Sequence, residues 1–325
     1  MYSKVTGLFF GINIIKSQVA NIFLSTSRNF SASKVSEMRY VQFKYKTGGV
    51  QHLGAQIAPD GDIFDLSAID STIPNSLVKF LEAGTDVQQK AKRIIANGNS
   101  VVPLKDVVLL SPITNPDKVA CVGLNYKGHC DEQNIPYPKE PMIFSKFSSV
   151  ITGPHDEIKL PKVSQMVDWE VELAVVIGKK GKYLRPDQAN DIIFGYTVAQ
   201  DISARDWQKE RNNRQFLLGK SMDTFCPLGP AVVTKDKVDP SNLAIKTWVN
   251  GVLKQSGNTS ELVFKIDFLV SYLSQIVTLY PGDVMLTGTP SGVGMFRNPP
   301  EYLKAGDVVE SEIEGIGRMK NTCVN

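Results

Sequence analysis

One eleven-residue segment, 168–178 (Asp-Trp-Glu-Val-Glu-Leu-Ala-Val-Val-Ile-Gly), limits what this chain can fold into more than any other. Its apolar, β-branched run predicts a strand. Glu170 and Glu172 stand at i and i+2, so on a strand both point to one face, about 7 Å apart. Two ionised carboxylates on one buried face repel unless a cation neutralises them. A hard divalent cation such as Mg2+ or Mn2+ takes oxygen ligands and meets that need. The alternative is an edge strand turning its polar face to water. Such a strand should keep alternating, whereas five apolar residues follow Glu172.

A third carboxylate, Asp201, ends a second short strand predicted over residues 197–201. There it is either a ligand or, with Ser203, a cap for a following helix. No zinc pattern competes. The three histidines (His52, His129, His155) are scattered, and the four cysteines form no Cys-x-x-Cys pair.

The net charge of +3 is concentrated at the front. Residues 1–36 hold Lys4, Lys16, Arg28 and Lys34, seven serines and no acid, which leaves the remainder at −1. The body therefore carries no basic surface for nucleic acid. The acid-free, Ser-rich leader has the composition of a mitochondrial presequence, and the expected address is the matrix. Arg28-Asn29-Phe30-Ser31 resembles a matrix-protease cleavage site. The apolar stretch 5–15 is too short to span a bilayer, so no membrane partner is expected. A secretory signal is the rival reading, but the uneven cysteine spacing suggests no disulfide framework.

From Met38 the pattern is that of folded chain. Residues 37–112 predict a small α+β module, with paired strands at 39–45 and 50–58 and helices at 77–83 and 85–96. Thr85 is a candidate cap and Gly98 a candidate stop. Residues 113–325 are strand-rich, with a strong hairpin signal at Asn250-Gly251 and a closing hairpin around Glu314-Gly315. Helices are few, near 127–133, 205–211 and 261–273. The expected class is α+β and β-rich: a mixed β-sandwich or barrel-like roll with the small module in front.

Other motifs narrow the chemistry. Gly219-Lys220-Ser221 imitates the end of a P-loop, but position 214, where the loop needs Gly, is Arg214. No Gly-x-Ser-x-Gly elbow exists. The Gly-rich run 287–294 follows a predicted strand, where its amides are able to hold an anion; a plain tight loop is the alternative. If 127–133 is helical, His129 and Glu132 share a face at i and i+3, where a carboxylate beside an imidazole makes it a general base; a plain surface contact is the alternative. Lys220 lies in an apolar stretch, either partly buried and poised to hold negative charge or snorkelling at the surface.

Taken together, six segments resemble the fumarylacetoacetate hydrolase family. They are Gly123-Leu124-Asn125-Tyr126 with His129 and Glu132; Phe144-Ser145-Lys146; residues 168–178; Asp201 with Ser203-Ala204-Arg205-Asp206 and Gln208; Gly219-Lys220 with residues 223–230; and Thr287-Gly288-Thr289-Pro290 with Gly292-Val293-Gly294. The resemblance runs from about Pro116 to the end of the sequence. It implies the β-rich roll, which usually dimerises, and a site in which Glu170, Glu172 and Asp201 hold Mg2+ or Mn2+, with Ca2+ a further candidate. It implies that Arg205, Gln208, Thr289 and Lys146 bind substrate, that Lys220 is catalytic, and that His129 and Glu132 act from a mobile lid.

The implied substrate is a small 2-oxo dicarboxylic acid reacting through an enolate, and the favoured reaction is oxaloacetate keto–enol tautomerisation. Acylpyruvate or fumarylacetoacetate C–C hydrolysis and oxaloacetate decarboxylation are the alternatives, and a non-catalytic metal-binding role stands beyond them. Tautomerisation needs only a proton donor and acceptor, whereas C–C hydrolysis also needs a water activated by a base, the natural task of His129 with Glu132.

Overall fold

A computed structural model describes residues 38–98 and 101–325. The leader expectation for residues 1–36 lies outside the described residues. The fold is built on a large mixed sheet whose central strand is Val171–Ile177. Strand Ile193–Gln200 pairs with it on one side and Val284–Leu286 on the other, both antiparallel. This excludes the edge-strand reading and explains the lost alternation. Leu173, Val175 and Ile177 face one core, and Ala174 and Val176 face the other. A strand covered on both faces is apolar throughout.

A second, five-stranded sheet covers the first face. It contains both expected hairpins, Ala244–Val249 with Val252–Asn258 and Val308–Ile313 with Gly317–Val324. Asn250 and Gly251 take φ of 52° and 76°, the paired left-handed residues that a two-residue hairpin turn needs. Ile245, Ile313 and Met319 from this sheet meet Leu173, Val175 and Val198 in one core, with Leu269, Val270 and Leu273 of helix Ile266–Ile276. The sheets stack as a β-rich α+β fold, and neither closes into a barrel among the described residues.

The front module does not stand apart. Its strand Arg39–Tyr45 pairs with Cys226–Thr234 and so extends the large sheet. Phe80 and Ile95, from helices Leu77–Glu82 and Thr85–Asn97, pack in the same core as Ala174, Val176 and Leu286. Gly98 stops the second helix in the left-handed conformation at φ 69°, as expected, while the cap is Gly84 rather than Thr85.

Two boundaries differ from the sequence expectation for physical reasons. The helix expected at 261–273 starts at Ile266, because Asn125 holds the preceding turn. The Asn125 side chain accepts from Phe264 N at 2.8 Å, and its carbonyl accepts from Val263 N at 2.8 Å. The strand expected over 168–178 breaks at Trp169-Glu170. Val167–Asp168 leaves the main sheet to pair with Ser203–Ala204. The Asp168 carboxylate takes the Trp169 N–H at 2.8 Å, and the Gln200 side chain takes that of Glu170 at 2.8 Å, so neither is free for a ladder.

Because the module and the large sheet share one core, Phe80→Ala should cost about 3–5 kcal/mol and lower a single unfolding transition. Denaturant titration followed by circular dichroism checks this. Two separate transitions in the parent would show residues 37–112 to be autonomous.

Candidate active site

The acids converge because two antiparallel strands end at one place. Glu172 is the second residue of Val171–Ile177, Glu170 immediately precedes that strand, and Asp201 immediately follows Ile193–Gln200. Val171 lies opposite Gln200 in the register. The Asp201 N–H donates to the Glu170 carbonyl at 2.8 Å and closes the junction. Carboxylate oxygens of Glu170, Glu172 and Asp201 then lie within 4.8 Å of one another, all buried. Asp201 does not cap a helix. Helix Arg205–Lys209 begins without a side-chain cap, and the Ser203 hydroxyl turns back to the Asp201 carbonyl at 2.9 Å.

Three cations reach this cluster. The Lys220 ammonium donates to Glu170 Oε2 at 2.6 Å and Asp201 Oδ2 at 2.7 Å. Lys146 donates to Asp201 Oδ1 at 2.6 Å and to the Ile202 carbonyl at 3.1 Å. Arg205 pairs with Glu170 Oε1 at 2.7 Å, Asp168 Oδ2 at 2.8 Å and Gln208 Oε1 at 2.9 Å. Among the described residues no cation pairs with Glu172, whose Oε2 accepts the Gly288 N–H at 2.6 Å. Burial, reinforced by the charges of Asp201 and Glu170, pushes the Glu172 carboxyl well above its ordinary value. Burial also acts on Glu170, but Arg205 and Lys220 outweigh it and hold that carboxyl well below the ordinary range. Burial would lower Lys220, and the charges of Asp201 and Glu170 more than reverse this.

These residues fit a hard divalent cation. The donors are all carboxylate oxygens, and opposite ligands of an Mg2+ octahedron stand about 4.2 Å apart, comparable to the spread seen here. The Lys220 ammonium bridging Glu170 and Asp201 is a cation already standing between two of the three acids, and Glu172 is a buried acid without one.

Glu170 and Glu172 open onto a cavity of about 250 Å³, and Asp201 lies behind them, outside its lining. Glu170, Glu172, Arg205, Gln208, Lys220, Thr289 and His129 line it, together with Gln133 and Lys209. Val122, Leu124, Ile135, Met142, Phe144, Phe216 and Phe296 form the apolar wall. A larger open groove, about 1020 Å³ and lined by Lys162, Tyr302 and Lys304 among others, contains none of the three acids. Lys146, expected to bind substrate, does not line the cavity; its side chain is fully buried and its ammonium meets Asp201.

His129 and Glu132 lie on helix Lys127–Glu132, as the spacing predicts. His129 Nδ1 is 2.6 Å from Glu132 Oε1, and Glu132 Oε2 accepts the Gly292 N–H at 2.8 Å. With Glu132 ionised, Nδ1 carries the proton, and Nε2 accepts from the Gln133 amide at 3.1 Å. The Gly-rich run 287–294 therefore contributes amides to Glu172 and Glu132, both side chains of the protein. Thr289 Oγ1 donates to the Val171 carbonyl at 2.9 Å and accepts from Gln255 at 2.8 Å.

Sequence reasoning missed Asp168. Its fully buried carboxylate accepts from Gly294 N at 2.7 Å, Met295 N at 2.9 Å and Arg205 Nε. It thereby fixes both the guanidinium and the turn carrying Phe296, whose ring centroid lies 6.1 Å from that of His129. The available signal was its place two residues before Glu170, on the same side of the segment. Burial outweighs the Arg205 charge and raises the Asp168 carboxyl.

Residues 118–324 match the family model for the fumarylacetoacetate (FAA) hydrolase C-terminal domain. The chain belongs to the fumarylacetoacetate hydrolase family. Among similar members of this family, the human oxaloacetate tautomerase FAHD2A, mitochondrial, is 55% identical over 289 residues, 89% of this chain and 92% of the relative. The fumarylacetoacetate hydrolase domain-containing protein 2 homolog of Dictyostelium discoideum is 46% identical over 83% of this chain and 92% of its own length. The fumarylacetoacetate hydrolase from Exiguobacterium antarcticum superposes with a TM-score of 0.78 at 36% identity, covering 88% of this chain and 99% of its own. The maleylpyruvate hydrolase of a Sphingobium species, solved with manganese(II) and pyruvate, gives 0.73 at 29% identity, over 88% and 99%.

Glu172, which no cation neutralises among the described residues, should make cation binding pH-dependent. Its carboxyl is raised in the metal-free protein, and a ligand must be ionised, so binding releases a proton. Mg2+ affinity should therefore rise with pH above the ordinary carboxylate range. Titration calorimetry in buffers of different ionisation enthalpy reads both quantities. Glu172→Gln should weaken binding greatly and remove the proton release; parent-like Mg2+ binding in that variant would remove Glu172 from the ligand set.

Proposed function

We propose that this chain is a mitochondrial-matrix oxaloacetate keto–enol tautomerase that works with Mg2+ or Mn2+ held by Glu170, Glu172 and Asp201. The observation that carries this reading is the buried acid triad, two of whose members, Glu170 and Glu172, open onto a cavity with cationic, amide and imidazole groups on its walls. The 55% identity to relatives named as oxaloacetate tautomerases supports the choice of reaction. A structural relative holding manganese(II) and pyruvate supports both the cation and a 2-oxo acid as its companion.

A cation in this place supplies Lewis acidity toward the 2-oxo acid group. Arg205 and Gln208, already hydrogen-bonded to each other, orient the substrate carboxylate. Lys220 stabilises negative charge as it develops on the 2-oxo oxygen, in a buried site where a fixed charge acts strongly. His129 Nε2 assists removal of the C3 proton once the Gln133 amide moves aside, with Glu132 stabilising the imidazolium through Nδ1; a carbon between two carbonyl groups is acidic enough that the step depends only in part on this base. The imidazolium returns that proton to the 2-oxo oxygen, which completes an isomerisation in which no water is consumed. The apolar wall of Phe144, Phe216 and Phe296 limits water access to that step.

The second reading is C–C hydrolysis of an acylpyruvate, favoured by one observation. The His129–Glu132 dyad is built as a base for activating water. The two reactions separate on mutation. His129→Ala should abolish any C–C hydrolysis, by about 10²–10⁴-fold, but only partly lower tautomerisation. Lys220→Ala should damage both. The assay follows the ultraviolet absorbance of enol-oxaloacetate beside an acylpyruvate, with Mg2+ and with Mn2+. A Mg2+-loaded protein that cleaves acylpyruvates at ordinary enzymic rates, yet leaves enol-oxaloacetate to its spontaneous decay, would make the hydrolase the function.

The compartment reading rests on the acid-free leader and on relatives named as mitochondrial. Deletion of residues 1–36 should leave an active protein that stays in the cytosol, scored by fractionation and activity. Secretion of the parent chain, or loss of folding on deletion, counts against the presequence.

A further inference from the structure

Three cationic side chains line the cavity, and they are not equivalent. Arg205 is engaged by Asp168 and Glu170, and Lys220 by Glu170 and Asp201. Lys209 is the third. Among the described residues it forms no ion pair; its recorded contact is with the Phe216 ring, whose centroid lies 5.9 Å from the ammonium. It stands four residues after Arg205 and one after Gln208 on helix Arg205–Lys209, so all three share the side of the helix that faces the cavity. The side chain is half-buried. Burial and the Arg205 and Lys220 charges lower its affinity for a proton, against the opposing pull of Glu170.

We propose that Lys209 is a specificity residue that binds the second carboxylate, the one remote from the 2-oxo group, of a dicarboxylic substrate. This rests on the reading of the site as one for 2-oxo dicarboxylic acids. The acid triad, Arg205 and Lys220 are mutually neutralising to within one charge, so they give little reason to prefer a second anionic group over a neutral one. An unpaired ammonium at the cavity wall does, because a charged hydrogen bond there replaces water on both partners. Phe216 fixes the side chain beside the cavity by cation–π contact and limits its freedom to turn outward. The bland alternative is a lysine whose stem covers Phe216 while its head stays in water and reads nothing.

The test compares the Mg2+-loaded parent with Lys209→Met and Lys209→Arg. Enol-oxaloacetate carries the second carboxylate, and pyruvate lacks it. Lys209→Met should raise KM for enol-oxaloacetate about 10- to 100-fold, with a much smaller fall in kcat. Competitive inhibition by pyruvate should hardly change, and Lys209→Arg should retain most of the preference. Calorimetric binding of oxaloacetate and of pyruvate to the same three proteins gives an arm that needs no turnover. If the parent fails to tautomerise oxaloacetate, the proposed function fails. A parent that still binds oxaloacetate more tightly than pyruvate, with that preference lost in Lys209→Met, nevertheless upholds the role of Lys209. A parent with no preference, or a Lys209→Met change that weakens both ligands equally, overturns it. So does a Lys209→Arg variant that behaves as Lys209→Met.

Discussion

The structure depends on a cluster of buried charge at the start of its central strand. Asp168, Glu170, Glu172 and Asp201 are all withdrawn from water, and Lys146, Arg205 and Lys220 are withdrawn with them. A buried charge left alone costs several kcal/mol, so each must meet a partner with good geometry. The partners come from separate parts of the chain. Lys146 ends strand Met142–Lys146, Arg205 opens one short helix and Lys220 closes another. The ion pairs therefore fix how these elements sit against the sheet. Hydrophobic packing of the same volume would hold the fold as well or better, which points to a functional reason for the arrangement.

The surrounding amides complete this arrangement. Gln200 accepts from Glu170 N and donates to Thr247 and Ser311, tying the junction to the second sheet. Gln255 accepts from Val171 N at 3.0 Å and donates to Thr289 and Pro290. Asn125 bridges the Thr287 carbonyl and the turn before helix Ile266–Ile276. Each is a fully buried polar side chain that satisfies backbone groups, and Gln200 and Gln255 take the two N–H groups that the broken strand leaves unpaired. The backbone that carries the acids is thus held in fixed positions.

The cavity divides its labour by wall. Acids lie at one side, amide and cationic groups of a short helix at another, and aromatic rings close the remainder. The related folds with names of different hydrolases show that this scaffold carries more than one chemistry. In this chain a hydrogen-bonded line runs from Gln133 through His129 and Glu132 to Gly292.

Much of this was legible in the residues themselves. The Glu170–Glu172 spacing within an unbroken apolar run signalled acids in a covered strand, and the central position of Val171–Ile177 bears that out. The hairpin at Asn250-Gly251 and the stop at Gly98 follow from local backbone preference, which a short segment specifies unaided. Asp201 is different, because locally a carboxylate after a strand serves equally as cap or ligand. Only the antiparallel register, which sets Val171 opposite Gln200, brings it to the other two acids. Lys146 shows the same limit from the other side. Its sequence neighbourhood marks it as part of the site, but whether its ammonium faces cavity or core depends on Asp201, 55 residues away. Gln200 stayed hidden because its partners are a backbone amide and hydroxyls that no side-chain pattern advertises, and Asp168 because its partners, backbone amides and the Arg205 guanidinium 37 residues away, meet it only in the fold. The sequence by itself determined which residue types would need a cation and which segments would be strands, since both follow from local chemistry and periodicity. The tertiary structure decided which charges meet, since that depends on strand register and on contacts between residues far apart in the chain.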